Sequence, residues 1–480
     1  MEEYHRLERL QDCDQSRPAC RTAGCFAKGF PPAQNPGFYW KFGKTAAGDP
    51  RWRCRLCLKT FSEGKPARRH KRSDKNRLIF QMLCNDLSLR KISKLTETSY
   101  RDLYGKIDFF YDQVRVFTAQ RQDFSRVDYR EVGSRFATDS QTLTINLPTR
   151  RKRAPVMVQH LCTAHARSGF IMEASLQFDP ALTMEQAQKQ AEEADEEEVS
   201  IAFRRHARVW TKDEFDEHLA KLLKQKRIDK AELYQLPHDG ALVRYDILQF
   251  AHAMRLRDHL AGSDAPLVFV MDDDKGLRQA FSSVFATEVK SGRADLAIVS
   301  FDKGMTNDHR NQVVAVGQSD LSASTGLSLA NIRALTDQDY ANLVDQEVAA
   351  RIAGLDLRAG FQYPFPRKSE PNRCVWLLTD SPDYDDRQRA RLLRLATLRS
   401  VDSYFHKFRS NVRFASRPSI SSGSVKQTWD RQYLYKPSLM AKLVEIYRLY
   451  HNWCELGADK KTPAMRLGLA RGRIYERDFL

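Results

Sequence analysis

Short runs of β-branched and aromatic residues alternate along the chain with longer segments whose apolar positions recur every three or four residues. That pattern predicts an α/β architecture. Arg135 to Leu147 reads as a strand, Val156 to Leu161 as a second, and Phe170 to Phe178 as a third after a turn at Arg167, Ser168 and Gly169. Three short strands with short connections predict an antiparallel meander. Leu267 to Met271 is a continuous apolar run suited to a buried strand, and Ala294 to Phe301 reads as a further strand. Ile247, Phe250, Ala251 and Met254 predict an amphipathic helix leading into the Leu267 strand. Further on, Val401, Tyr404, Phe405, Phe408 and Val412 follow the i, i+3, i+4, i+7 rule. On that helix Asp402 and Arg409 stand two turns apart and point the same way.

Connection lengths divide the rest. Two extra strands, a helix and their connections need roughly 50 residues, far fewer than separate Asp139 from Asp272. An insertion over about 181–240 is therefore expected, holding the acidic run Glu192 to Glu198 and a lysine-rich helix around Phe215 to Lys230. It contains no constellation of chemical residues and reads as a solvated helical excursion. A second insertion is expected over about 304–387.

The front end carries two cysteine pairs, Cys20 with Cys25 and Cys54 with Cys57, the latter inside Arg-Trp-Arg-Cys-Arg-Leu-Cys. Two short-spaced pairs on two knuckles supply the four soft ligands of tetrahedral zinc, with Phe61 placed to pack beneath the second. Cys13 competes with Cys20 as a ligand, while Cys84, Cys162, Cys374 and Cys454 have no metal-like spacing and read as buried thiols. Next comes a basic stretch, Lys65 to Arg77, in which Arg68, Arg69, Lys71 and Arg72 read as phosphate contacts. Three short helices follow, at about 74–85, 89–95 and 99–117. Ile79, Met82, Leu83, Ile92, Leu95, Leu103, Ile107 and Phe110 close one small core between them. That is a helix-turn-helix pattern, with Tyr100, Arg101 and Lys106 expected to face outward from the third helix as DNA contacts. Ser419 to Ser424 reads as a linker before a helical tail from Tyr433 to Leu469.

Composition narrows the partners. Among 480 residues, 78 Lys and Arg face 61 Asp and Glu, a formal net charge of +17. The sequence pI is about 9.4. Such a basic chain meets a polyanion. The first residues carry no secretory pattern and the apolar runs are too short for a membrane span, so no membrane role is expected. Nine cysteines, four at metal-like spacing, indicate a reducing interior.

Candidate catalytic acids lie where strands end. Asp139 sits in the first meander strand, and Asp272 follows the apolar run Leu267 to Met271. Ligands of open α/β sheets gather at such ends. Asp272, Lys275, Gly276 and Leu277 resemble the Asp-Gly-x-Lys-Gly-Leu of mutator-like bacterial transposases. Here Asp273 replaces the glycine, so Asp272 or Asp273 is the matching acid, Asp272 being preferred; a helix-capping role for these carboxylates is the other reading. The Asp402 to Arg409 helix resembles the last catalytic helix of RNase H-like transposases, with Asp where Glu is usual. Glu445 is the rival third acid. The cysteine pairs resemble the zinc ribbon opening many insertion-sequence transposases. The stretch Tyr450 to Ala470, with Lys461-Thr462-Pro463-Ala464, resembles their closing segment.

The resemblance implies a bacterial DDE/DDD transposase. Its expected parts are a zinc ribbon over 1–64, a helix-turn-helix over 65–120, an RNase H-like mixed sheet over 130–415 interrupted by both insertions, and a helical tail over 425–480. It implies that Asp139, Asp272 and Asp402 hold Mg²⁺ or Mn²⁺, that Arg409 and Lys275 hold phosphates, and that the protein is cytoplasmic and DNA-associated. Double-stranded DNA, as transposon ends and target, is the expected partner, bound by a homo-oligomer on paired ends. A non-catalytic DNA-binding regulator derived from a transposase is the alternative, and a free-standing RNase H-like nuclease a third reading.

Overall fold

The structure is a computed structural model that describes residues 1–11, 19–28, 30–32, 35–46, 48–62, 72–146, 155–193, 208–226, 234–416 and 434–480. Cys13, Arg68, Arg69, Lys71, part of the acidic run and the Ser419 to Ser424 linker lie outside them. The chain opens with α1 (Glu2–Gln11), then a three-stranded antiparallel sheet, β1 (Tyr39–Lys44), β2 (Pro50–Cys54) and β3 (Thr60–Ser62). Three helices follow, α2 (Asn76–Leu83), α3 (Leu89–Thr96) and α4 (Tyr100–Arg121), and then the single turn α5 (Tyr129–Val132). Ser88 and Ser99 start α3 and α4 by accepting from Lys91 N and Asp102 N, satisfying amides a helix start leaves unpaired.

The meander is β4 (Arg135–Asn146), β5 (Pro155–His165) and β6 (Ile171–Leu176). The short strand β7 (Phe178–Asp179) follows, then α6 (Met184–Glu193), α7 (Lys212–Lys224), the partner strand β8 (Ala241–Leu242) and α8 (Tyr245–Leu260). Next come β9 (Leu267–Asp272), α9 (Lys275–Val284), α10 (Ala286–Lys290) and β10 (Ala294–Ser300). The second insertion supplies α11 (Asn307–Thr325), α12 (Leu329–Ala334), α13 (Asp337–Ile352), β11 (Phe361–Gln362), β12 (Cys374–Leu377) and the start of α14 (Asp386–Leu395). The helix α15 (Arg399–Asn411) precedes α16 (Pro437–Leu449), which runs on as one π-turn, Tyr450–Cys454, and α17 (Pro463–Leu467) ends the helical part.

These elements form an α/β fold around one seven-stranded mixed sheet of order β11-β12-β10-β9-β4-β5-β6. β4, β5 and β6 pair antiparallel, β9 lies parallel to β4 and β10 parallel to β9. The sheet departs from expectation at one edge. The second insertion, expected only to separate β10 from α15, extends the sheet, because β12 adds antiparallel to β10 and β11 to β12.

Side-chain alternation assigns the faces. Thr163 of β5 and Ser175 of β6 hydrogen-bond the two ring nitrogens of His252, which puts α8 on one face. His160 of β5 packs against Tyr404, Phe405 and Phe408, which puts α15 on the other. The free edge of β6 is covered by the tail. Asn452 donates to the Ile171 carbonyl at 3.0 Å and accepts from the Ile171 amide at 2.9 Å, imitating a neighbouring strand. One buried apolar cluster runs from Ile79 in α2 through the sheet to Leu467 and Phe479 in the tail. The start of the chain, expected to belong with the cysteine pairs, instead gives α1, whose Tyr4 donates to Asp258 of α8 and whose Glu3 holds Arg208. Among the described residues no helix is long and apolar enough to cross a membrane.

Candidate functional site

Strand register brings the first two acids together. Thr138 of β4 lies opposite Met271 of β9, so the next residues, Asp139 and Asp272, emerge side by side. Asp139 is on the face covered by α15, as is Gln141 two residues on, whose side-chain oxygen accepts from Arg409 Nη1 at 2.7 Å. Asp402 stands in the first turn of α15. That helix start is fixed by the buried Glu370, which accepts from Leu398 N at 2.8 Å and from the Thr397 hydroxyl at 2.5 Å.

The run of three aspartates after β9 divides its labour. Asp272 accepts from Lys303 Nζ at 3.1 and 3.2 Å. Asp273 is exposed and meets Arg278 at 3.4 Å. Asp274 caps α9, accepting from Gly276 N at 2.7 Å and Leu277 N at 3.2 Å, and Gln249 holds it from α8. The capping carboxylate is thus Asp274, which frees Asp272 to face the other acids. Lys275 is exposed at the first position of α9.

The acids feel one another. Burial pushes the Asp139 carboxyl up to about 8, Asp272 and Asp402 add to this, and Lys303, 4.0 Å away, opposes it. Burial likewise raises Asp402 to about 6, with Glu370 and Asp272 adding and Lys303 and Arg409 opposing. Partial desolvation lowers Lys303, but Asp139, Asp272 and Asp402, which it faces, raise it on balance. Carboxylates crowded in a half-buried site with a single ammonium among them are short of positive charge. Their oxygens do not all lie within 4.8 Å of one another, and among the described residues only the cysteines meet that spacing. Lys303 is the member of this group that the sequence did not disclose. Its only signal was a lysine just past the end of β10, the strand parallel to β9.

Glu445 lies elsewhere. It is held by Arg448 Nη2 at 2.7 Å and lines a small cavity with Leu7, Tyr111, Arg115 and Glu173. Of the two rivals, the structure brings Asp402 to the other acids.

The cysteines converge as the spacing predicted. Cys20, Cys25, Cys54 and Cys57 place their sulfurs within 4.8 Å of one another, with Cys20 to Cys57 at 3.4 Å and Cys25 to Cys54 at 3.8 Å. Metal–sulfur bonds of about 2.3 Å at tetrahedral corners put sulfurs roughly 3.8 Å apart, so this donor set fits a metal ion such as zinc. The crowded thiols split, Cys57 being lowered to about 6, chiefly by its hydrogen bond with Thr22, while desolvation raises Cys25 to about 12, so the metal-binding reading rests on the sulfur geometry. Phe61 packs on Tyr39 beside the cluster. One face of this small sheet is exposed and aromatic, with Arg51 and Arg53 over the Phe42 ring and Arg55 over Trp40.

In the three-helix unit, Tyr100 and Arg101 are exposed at the start of α4. Lys106 is not, and the expectation that it faces outward is corrected. It is buried and donates to Asn76 Oδ1 at 2.6 Å and to the Arg72 carbonyl at 3.1 Å, tying α4 to the start of α2. These two acceptors make an interior position for the ammonium possible. Arg72 lies beside Asp74 at 3.4 Å.

Comparison with protein-family models and with curated proteins finds no match.

Proposed function

We propose that the chain is a DNA transposase, binding transposon ends through its cysteine-cluster and three-helix units and cutting and joining strands at the Asp139, Asp272 and Asp402 site. The observation that carries the reading is the side-by-side emergence of Asp139 and Asp272 on the adjacent parallel strands β4 and β9, with Asp402 delivered over them by α15. The order β6-β5-β4-β9-β10, three antiparallel strands followed by two parallel ones, is the pattern expected of an RNase H-like core.

Three carboxylates suit hard divalent cations such as Mg²⁺, which when bound lower the pKa of an attacking water or 3′-hydroxyl and stabilise the leaving oxygen. Asp139, Asp272 and Asp402 provide the oxygens. Lys303, more than half exposed, swings toward a substrate phosphate once its charge is no longer needed among the acids. Arg409, steered by Gln141, and Lys275 hold neighbouring phosphates, so the protein's share is positioning and charge neutralisation. Zinc at the four cysteines fixes the ribbon, whose exposed Trp40 and Phe42 with stacked arginines suit a nucleic-acid surface. Tyr100 and Arg101, exposed on the first turn of α4, read base edges.

The test is cleavage of a labelled duplex carrying the DNA that flanks the coding sequence. Wild-type protein should nick it with Mg²⁺ and not with EDTA, and Asp272→Asn should bind it without cutting. Equal cleavage by Asp272→Asn would remove the acidic site from the reaction. Binding without cleavage by every form would favour the non-catalytic DNA-binding regulator.

A further inference from the structure

The strongest feature outside the acidic site is a cleft of about 480 Å³ at the start of β4, bounded by the β5–β6 turn, the segment before α15 and the α17 region. Its walls are cationic. Arg135, Arg167, Arg367 and Arg399 line it, and among the described residues none of the four has a carboxylate partner. Arg135 donates to the Leu395 carbonyl at 2.9 Å and Arg167 to the Glu131 carbonyl at 3.0 Å. The other cations there are already engaged: Arg394 by Asp345, Lys407 by Glu455, and Arg466 by Asp459. Glu455 is the one carboxylate in the lining, and Lys407 and His451 hold it. Four guanidiniums gathered without a counter-charge make a locally positive surface that attracts an anion. Consistent with that crowding, burial and the neighbouring Arg394, Arg391 and Arg367 together lower Arg135 to about 10.

The cleft is separate from the acids. Arg135 and Asp139 are four residues apart on β4, about 13 Å at strand rise. Around α15, Arg399, Ser403 and Lys407 line the cleft, whereas Asp402 and Arg409 belong to the acidic side. At 100° per residue the two stripes are roughly 110° apart, so α15 is the wall between them.

We propose that this cleft binds the phosphodiester backbone of a nucleic acid, a contact distinct from the acidic site and separated from it by α15. The inference rests on reading the chain as a nucleic-acid protein and not on the chemistry at the acids. Guanidinium forks match phosphate oxygens two at a time, and the mouth exposes Arg167, Arg367 and Arg399. A free polyphosphate would offer the same oxygens, and the experiment separates the two sources.

The full chain is titrated with a random-sequence 20-base-pair duplex at several salt concentrations, beside the triple variant Arg167→Gln, Arg367→Gln, Arg399→Gln. Each phosphate that the protein no longer neutralises should reduce the log–log salt slope by about 0.9, so the variant's slope should fall by about 2 to 3 and its low-salt affinity by about tenfold or more. Both readings are taken in EDTA, where the acidic site lacks the cation that cleavage needs, so failure of this inference is distinct from failure of the cleavage reading. A second measurement needs no variant: duplex should protect Arg167, Arg367 and Arg399 of the wild-type protein from phenylglyoxal, read by mass spectrometry. An unchanged salt slope in a folded variant, or no protection by duplex, would overturn the proposal. Protection by tripolyphosphate with none by duplex would overturn it in favour of a small-anion site.

Discussion

Removing the charge of Asp139 should stabilise the metal-free protein at high pH. Asp139 is buried, 5 % exposed, and its carboxyl is raised to about 8, whereas in the unfolded chain it titrates near 3.9. Between those values the native state holds a proton that the unfolded state has released. Stability contributed by this group is therefore complete below about pH 4 and is lost as pH rises toward 8. The full span would be worth at most about 5 to 6 kcal/mol at about 1.4 kcal/mol per pKa unit. Between pH 5 and pH 8 the ceiling is about 4 kcal/mol, and solvent, salt and local relaxation reduce it to about 2 kcal/mol. Asp139→Asn keeps the shape and removes the titration. Urea unfolding in EDTA at pH 5 and pH 8 is the assay: from the lower to the higher pH, wild type should lose about 2 kcal/mol relative to Asp139→Asn. Added Mn²⁺ at pH 8 should return most of that to wild type and little to the variant. Parallel losses in the two proteins, or equal rescue by metal, would refute the reasoning.

The cysteine cluster should hold one zinc in freshly purified protein, seen by native mass spectrometry; a Cys54→Ser, Cys57→Ser double variant that still carries zinc would reject the assignment. Arg101→Ala should weaken binding to the end sequence by about 1 to 3 kcal/mol if the side chain reads a base, with equal loss on random DNA marking a phosphate contact instead. Asn452→Ala strips two hydrogen bonds from the buried edge of β6 and should cost about 2 to 4 kcal/mol of stability by urea denaturation, where a loss below about 0.5 kcal/mol would show that the tail does not secure that edge.

Much of the central sheet was legible because its strands are long enough for pattern to speak. β4 and β5 carry β-branched and other apolar residues over 12 and 11 residues, β9 is apolar up to Met271 and β10 is apolar from Leu296 to Val299, and the turn at Arg167 to Gly169 set the meander. The spacing of Val401, Tyr404, Phe405 and Phe408 fixed the buried face of α15, which placed Asp402 at its margin. The four cysteines were legible from spacing alone. What the pattern hid were features made by distant partners. β11 and β12 are two and four residues long and exist because β10 offers an edge. Lys303 looked like an ordinary turn lysine, and only the assembled sheet sets it among three carboxylates. Lys106 read as a surface charge because nothing local predicts that Asn76 and the Arg72 carbonyl will meet it inside. α1 carries no signal that it will pack on α8.

The central claim is that Asp139, Asp272 and Asp402 form one cleavage site, and Asp402 is its most exposed point. Cleavage of the flanking-DNA duplex with Mg²⁺ by Asp402→Asn and by Glu445→Gln, each with its end-binding affinity, tests it most directly. The account predicts that Asp402→Asn binds normally and fails to cut, because the amide lacks the anionic oxygen a hard cation needs, while Glu445→Gln cuts as wild type does. Full cleavage by Asp402→Asn would contradict it, transferring the role to Glu445 if Glu445→Gln is dead and ending the three-carboxylate account if both variants cut.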